Sequence, residues 1–357
     1  VIAAVAVTGQ RRVNPESLVQ TMQTQAGKPL TEDVLDLDMR RIYGSGDFEL
    51  GVHVHDTGLP SGELMHYAGM TWVKVQVRYG TDEDEILDTM RIAHSRGFNI
   101  LLGLLGGSDM VTQPNFEQDF AAWAARLADL GADGIEVWNE PNIDREWQRG
   151  SISPVAYTRL LCAVYGAVHE TSPDTLVISG AMAPTGSFGG NCTRAGCDDV
   201  PFLQQMYAAG AAQCMDYLGA HYNSGATAPT VTTGHPADSG DRHHSWYFLP
   251  QLQLYFDIFG GTRRIFFTEM GYASQEDVST FPSGFAWARG IDNSEQAAWL
   301  AQAVQLSVQS GVVRGMIIWN WDKPSVSGDP QDGYAIIRPG GTCPACDALH
   351  EVLGTRQ

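Results

Sequence analysis

Short apolar segments recur along the chain from about residue 48, and a helix-like pattern follows each one. FELGVHVH (48–55), TWVKVQVRY (71–79), NILLGLLG (99–106) and GIEVWNEP (134–141) are the first four strand candidates. TLVISGA (175–181), YLGAHYN (217–223), RIFFTEMG (264–271) and RGMIIWNWD (314–322) complete the set. Between them lie segments with helical spacing. These include SGELMHYAG, a stretch opening at a Thr81–Asp84 capping box and stopping at Gly97, FEQDFAAWAARLADLG, and roughly 154–170. Strict strand–helix alternation predicts a parallel sheet, and eight units of it predict closure into a (β/α)8 TIM barrel over 48–357.

Residue parity within the strands supports closure. Val73, Val75 and Val77 share one face of the second strand, and Lys74, Gln76 and Arg78 share the other. In the fourth, Glu136, Trp138 and Glu140 oppose Ile135 and Val137. Aliphatics against helices and polar groups inward fit a barrel. Lys74 and Glu136 are expected to pair inside it, with Arg78 at the level of Glu140.

Residues 1–47 fall outside the alternation. VIAAVAVTGQ reads as a strand rather than a signal peptide, and helices open at Asn14-Pro15 and Thr31. This β-α-α extension resembles the first half of a POTRA domain through VTGQRRV, AGKPLT and RRIYGSGDFE; no role is assigned to it.

A net charge of −19 and the lack of any Lys/Arg run argue against a nucleic-acid partner. No apolar run approaches the ~20 residues of a membrane span. Cys192 with Cys197 and Cys343 with Cys346 are spaced for two local disulfides, which favours a secreted or extracytoplasmic setting. A four-thiolate zinc site is the alternative for the same cysteines. Cys162 and Cys214 are expected to be buried free thiols.

Two glutamates carry the candidate chemistry. Glu140 stands at the end of the fourth strand in VWNEPN, and Glu269 at the end of the seventh in FFTEMGY. Carboxylates facing each other across a barrel mouth can cleave a glycosidic bond with retention, one as acid and base, the other as nucleophile. This chemistry needs neither a metal nor a cofactor. Asn139 beside Glu140 could hold a sugar hydroxyl. Arg78 beside Glu269 would depress that carboxyl, whereas Glu140 near Trp138 or Trp319 would be raised and stay protonated.

On WNEPN and TEMGY above all, and across about 300 residues of barrel pattern, the chain resembles the clan A glycoside hydrolases. That group includes cellulases, β-xylosidases, β-mannanases and β-galactosidases. The resemblance implies Glu140 as acid/base, Glu269 as nucleophile and a carbohydrate substrate. It also implies Arg78 supporting the nucleophile, His221 or Tyr222 close to nucleophile or substrate, and Trp319, rather than Trp321, as the pocket floor. His53 and His55 bear on the mouth. Strand three departs from the group's pattern: LLGLLGGSD offers no His or Asn at its end, and Asp109 is the substitute. Tyr79, Trp147, Trp246, Tyr247, Phe285 and Trp287 are candidate sugar platforms, and the irregular stretch 224–247 is expected to line or cover the subsites.

Two rival readings remain. His53-Val54-His55 with His221 and Asp322 is similar to a metal-dependent amidohydrolase. Yet strand five ends in SGAMAP without a His, and Glu140 stands where that group has Lys. The other rival is a barrel that binds glycans without cutting them, whose signature would be the loss of one carboxylate.

Overall fold

The computed structural model describes residues 48–55, 59–60, 62–240, 242–278, 281–322 and 330–354. The expected β-α-α extension and its POTRA likeness lie outside them. In chain order the elements are β1 (Glu49–His53), α1 (Glu63–Tyr67), β2 (Trp72–Arg78), α2 (Glu83–Ser95), β3 (Asn99–Leu105), α3 (Phe116–Asp129), β4 (Gly134–Val137) and α4 (Pro154–Thr171). They continue with β5 (Leu176–Ser179), α5 (Asp199–Ala208), β6 (Leu218–Tyr222), α6 (Phe248–Ile258), β7 (Ile265–Met270), α7 (Asn293–Ser310), β8 (Val313–Ile318) and α8 (Pro344–Gly354). All strand pairs are parallel, in the order β5-β4-β3-β2-β1-β8-β7-β6. An Ile178–Tyr217 bridge joins the two ends of the sheet, so the (β/α)8 barrel is nearly closed, as the alternation predicts.

Local chemistry sets the helix ends. Ser153 caps α4 through its hydroxyl, with Pro154 in the first turn. Asp292 and Glu295 form a reciprocal capping box on α7, which ends at Gly311 in the left-handed region. For α2 the cap is Asp82, whose carboxylate accepts from the Asp84 backbone N–H at 2.8 Å. The N-cap therefore falls one residue after the Thr81 expected from sequence, and Asp84 is the residue it caps rather than the reciprocal partner of a box.

The main apolar layer lies between strands and helices, filled by Val73, Ile100, Ile135 and Phe267 from the barrel and Leu161, Phe202 and Leu300 from the helices. Inside the barrel, Trp72, Leu101, Ile178, Phe266 and Ile317 form a plug. Above it sits the expected ion pair, Lys74 Nζ to Glu136 Oε2 at 2.7 Å, both fully buried. Gly103 makes room for it: a Cβ there would stand 3.2 Å from Lys74 Cε and 3.4 Å from Glu136 Oε2. Strand parity was a good guide at this level.

Three disulfides are present: Cys162–Cys214, Cys192–Cys197 and Cys343–Cys346. The two local bridges match expectation, and the four-thiolate zinc alternative falls with them. The free-thiol expectation for Cys162 and Cys214 is overturned. Cys162 on α4 meets the segment leading into β6 with a Cα–Cα distance of 4.7 Å, across a separation of 52 residues. Only tertiary packing brings the two together. Among the described residues, no helix is long and apolar enough to cross a membrane.

Candidate active site

The strands end earlier than their sequence pattern suggests, and this reshapes the mouth of the barrel. β4 stops at Val137, three residues short of Glu140, and Trp138 and Glu140 have positive φ values of 73° and 41°. Such backbone is costly for non-glycine residues and persists only where its surroundings hold it. The Glu140 N–H donates to Ala181 O at 2.9 Å, and the buried Asn142 amide clamps Ala183 and Cys197 through three hydrogen bonds. Tyr157 braces the same region by donating to Val137 O and accepting from Gly180 N–H. Gly180 has to be glycine there, because a Cβ would lie 2.5 Å from Val137 O. The positive φ breaks the alternation. Trp138 turns away from the mouth into a cluster with Phe116, Phe120 and Trp147, contrary to its expected place near Glu140.

A register shift aims the second glutamate. The β6–β7 pairing runs Ala220 to Phe267 and then His221 to Glu269, skipping Thr268. Bulges of this kind commonly re-aim side chains beside functional sites. Nδ1 of His221 is 3.1 Å from Glu140 Oε1 and 3.7 Å from Glu269 Oε2, so one imidazole nitrogen reaches both carboxylates. Lys74 Nζ lies 3.6 Å from Glu269 Oε1 and donates to Thr268 O. Gln251 fixes the His221 backbone by donating to its carbonyl at 2.6 Å. Arg145, from the loop after β4, places Nη2 2.6 Å from Glu140 Oε2 and pairs with Glu146 as well.

These contacts reverse the protonation pattern expected from sequence. Burial pushes the Glu269 carboxyl above the ordinary range, and His221 and Lys74 oppose this only in part. Burial acts the same way on Glu140, but the His221 hydrogen bond and charge, joined by Arg145, outweigh it and hold that carboxyl low. Burial would lower His221, yet Glu269, Glu140 and Glu136 together raise it. Arg78 explains part of the reversal. It is exposed, lies 3.5 Å from Gly106 O and lines, with His55, a cavity that shares Gln76 with the glutamate site. Among the described residues, the cationic groups within 4 Å of Glu269 are Lys74 and His221, so the Arg78 expectation is corrected in favour of Lys74.

The two glutamates open into a polar cavity of about 470 Å³, lined also by Gln76, Asn139, Asn223, Gln331 and Tyr334. Trp319, Trp287 and Phe285 are its aromatic walls. Trp319 Nε1 donates to Gln331 Oε1 at 2.7 Å, and its peptide bond to Asn320 is cis. Trp321 is buried and is not among the residues lining the cavity. Of the two histidines at the end of β1, His53 is buried, whereas His55 is exposed and lines the cavity of Gln76 and Arg78. They pack on each other and on Trp319, with centroids 4.3 and 5.3 Å from its ring, and burial drives the His53 pKa well down.

Tyr222, which strand alternation sends outward, is fully buried against Phe248 and Tyr272, its hydroxyl donating to Trp246 O. Of the two β6 candidates only His221 reaches the carboxylates. Asp109 is not among the cavity's lining residues. Of the candidate platforms, Phe285 and Trp287 line the cavity. Trp246 stands behind them, stacked on His235, which leans on Trp287. Tyr79 packs on Phe120 and Trp123, while Trp147 and Tyr247 are buried. Among the described residues of the 224–247 stretch, Ser224 is the one on the cavity wall. Sequence reasoning passed over Arg145, Gln331 and Tyr334, which lie in loops without periodicity. It placed Gln76 on the inward face without assigning it to the site.

Comparison with known proteins agrees with this architecture. The model of Glycoside Hydrolase Family 113 matches residues 251–336, about a quarter of the chain and the part containing Glu269, Trp287, Trp319 and Tyr334. A search of curated proteins found no match. The fold is similar to the GH53 catalytic domain of Ignisphaera aggregans, with 13% identity and a TM-score of 0.55 over 85% of this chain and 91% of that one. It is similar to the endo-1,4-beta-mannanase of Rhizomucor miehei, with 12% identity and a TM-score of 0.54 over 93% and 97%. A glucosidase from Croceicoccus marinus gives 13% identity and a TM-score of 0.58 over 86% and 68%. The resemblance to clan A glycoside hydrolases seen in WNEPN and TEMGY thus has a counterpart in a family segment and in the fold.

Proposed function

We propose that this protein is a retaining glycoside hydrolase acting on a β-linked oligo- or polysaccharide, with Glu269 as nucleophile and Glu140 as acid and base. One observation carries the reading: Glu140 and Glu269, from opposite sides of the barrel mouth, share His221 Nδ1 at 3.1 and 3.7 Å. Such closeness suits direct attack on the sugar better than the ~6.5–9.5 Å gap that an inverting site leaves for water. Glu269 attacks the anomeric carbon while Glu140 protonates the departing oxygen. Glu140 then takes a proton from water as the glycosyl–enzyme bond is hydrolysed.

Lys74 and His221 favour the Glu269 anion and orient it for attack. The Glu140–His221 pair titrates as a unit. In the free protein His221, and after it Arg145, favours the Glu140 anion, while Glu269, Glu140 and Glu136 favour the imidazolium. A leaving-group oxygen that takes the place of Arg145 at Glu140 Oε2 weakens that bias and favours transfer of the imidazolium proton to the carboxyl. Asn139 and Gln76, 3.5 Å apart, offer amides to a sugar hydroxyl beside the acid, and Trp319 offers a ring face. Three disulfides fit an oxidising, extracytoplasmic setting.

The test is hydrolysis of aryl β-glycosides and β-linked glucan, mannan and xylan by wild type, Glu140→Ala and Glu269→Ala. Both variants should lose at least ~10³-fold in kcat, a scale common for loss of covalent or acid–base catalysis. Azide should restore Glu269→Ala with inverted product. An active wild type whose activity survives both substitutions would refute the assignment.

A further inference from the structure

A second cluster of ligating side chains lies outside the glutamate site, where the start of α5 meets the turn before α6. Asp199, His243 and His244 each offer one ligand atom, and these atoms all lie within 4.8 Å of one another. Asp199 is fully buried. Its Oδ2 is 2.6 Å from His244 Nε2 and accepts the Tyr255 hydroxyl, but its Oδ1 has no hydrogen-bond partner among the described residues. A buried carboxylate oxygen left without a donor is costly, and such orphans often mark the place of an ion or a water. The His243 ring lies tilted at 35° to that of His244 with centroids 4.2 Å apart, and its Nδ1 is 2.7 Å from Ser245 Oγ. With Nδ1–H donating to Ser245 Oγ, the shorter of its two contacts, Nε2 is left for a ligand, as in metal-binding imidazoles whose other N–H donates outward.

We propose that Asp199, His243 and His244 bind one Zn²⁺ ion as a His₂Asp site whose fourth position is water. Nitrogen and oxygen donors in this number suit zinc, with Zn–N and Zn–O bonds of about 2.0–2.2 Å. The ion tethers the β6–α6 loop to α5. That loop carries Trp246, whose ring stacks on His235 and through it backs Trp287 on the cavity wall. The metal is structural, away from the bond-breaking carboxylates, and the double-displacement chemistry proceeds without it.

The experiment uses the full chain, stripped by chelator and dialysed against Zn²⁺, with bound metal counted by mass spectrometry and Tm followed as Zn²⁺ is added. One equivalent per chain and a Tm that climbs with zinc concentration are expected. His243→Ala alters a half-buried side chain and should fold, yet lose about tenfold or more in zinc affinity along with the Tm response. Asp199→Asn should do the same if it folds. No bound zinc in wild type, or one equivalent with unchanged affinity in His243→Ala, would overturn the proposal.

Discussion

Lys74 does two jobs that one pair of substitutions can separate. It neutralises Glu136 at 2.7 Å and lies 3.6 Å from Glu269, all inside the barrel. Lys74→Met strips buried Glu136 of its 2.7 Å partner and leaves Glu269 with His221 as its cation, a change that typically costs about 3–5 kcal/mol. Adding Glu136→Leu removes the stranded partner. Replacing a buried ion pair by apolar groups is often near neutral, so the double variant should recover to within about 1 kcal/mol of wild type. Activity should not recover with it. Attraction across 3.6 Å at an effective dielectric of about 20 is about 4–5 kcal/mol. With half of that offset by desolvation, about 2 kcal/mol remains, or roughly 30-fold in kcat/KM. Urea unfolding and steady-state kinetics on the same three proteins check both halves. A double variant with wild-type kcat/KM would show that Lys74 serves the fold alone, and a single variant losing under about 1 kcal/mol would refute the buried-pair argument.

His221 carries a pH signature. Its folded pKa is raised, so its contribution to stability is full below the unfolded value of about 6.5 and is lost as pH rises through the folded value. The Tm gap between wild type and His221→Gln should therefore be wider at about pH 6 than at about pH 9, and a gap that widens with pH would contradict this. The Cys162–Cys214 bridge closes a loop of 52 residues, worth about 4 kcal/mol in chain entropy. Cys162→Ser/Cys214→Ser should lower unfolding free energy by about 2–5 kcal/mol with the active-site kinetics intact; unaltered stability would show that the bridge does not form in solution.

The barrel was legible from the chain because its signal is local and repeated. Each strand and helix writes its own period, and turn and cap residues mark the boundaries, so eight alternating units name one architecture. Inward parity placed Lys74 against Glu136, and strand-end position singled out Glu140 and Glu269. Parity failed where the backbone leaves regular geometry. Positive φ at Trp138 turned that ring outward, and the skipped Thr268 set His221 opposite Glu269. The protonation pattern was misjudged because it depends on which cation stands beside each carboxylate. Arg145 comes from a loop with no period to read, and Arg78 lines a cavity with His55 while Lys74 and His221 stand within 4 Å of Glu269. Cys162–Cys214 and the Asp199–His243–His244 cluster join segments distant along the chain. A sequence states its short-range preferences residue by residue. Which remote loops meet, and which charges then share a buried site, is decided only when the whole barrel closes and its loops pack over one mouth.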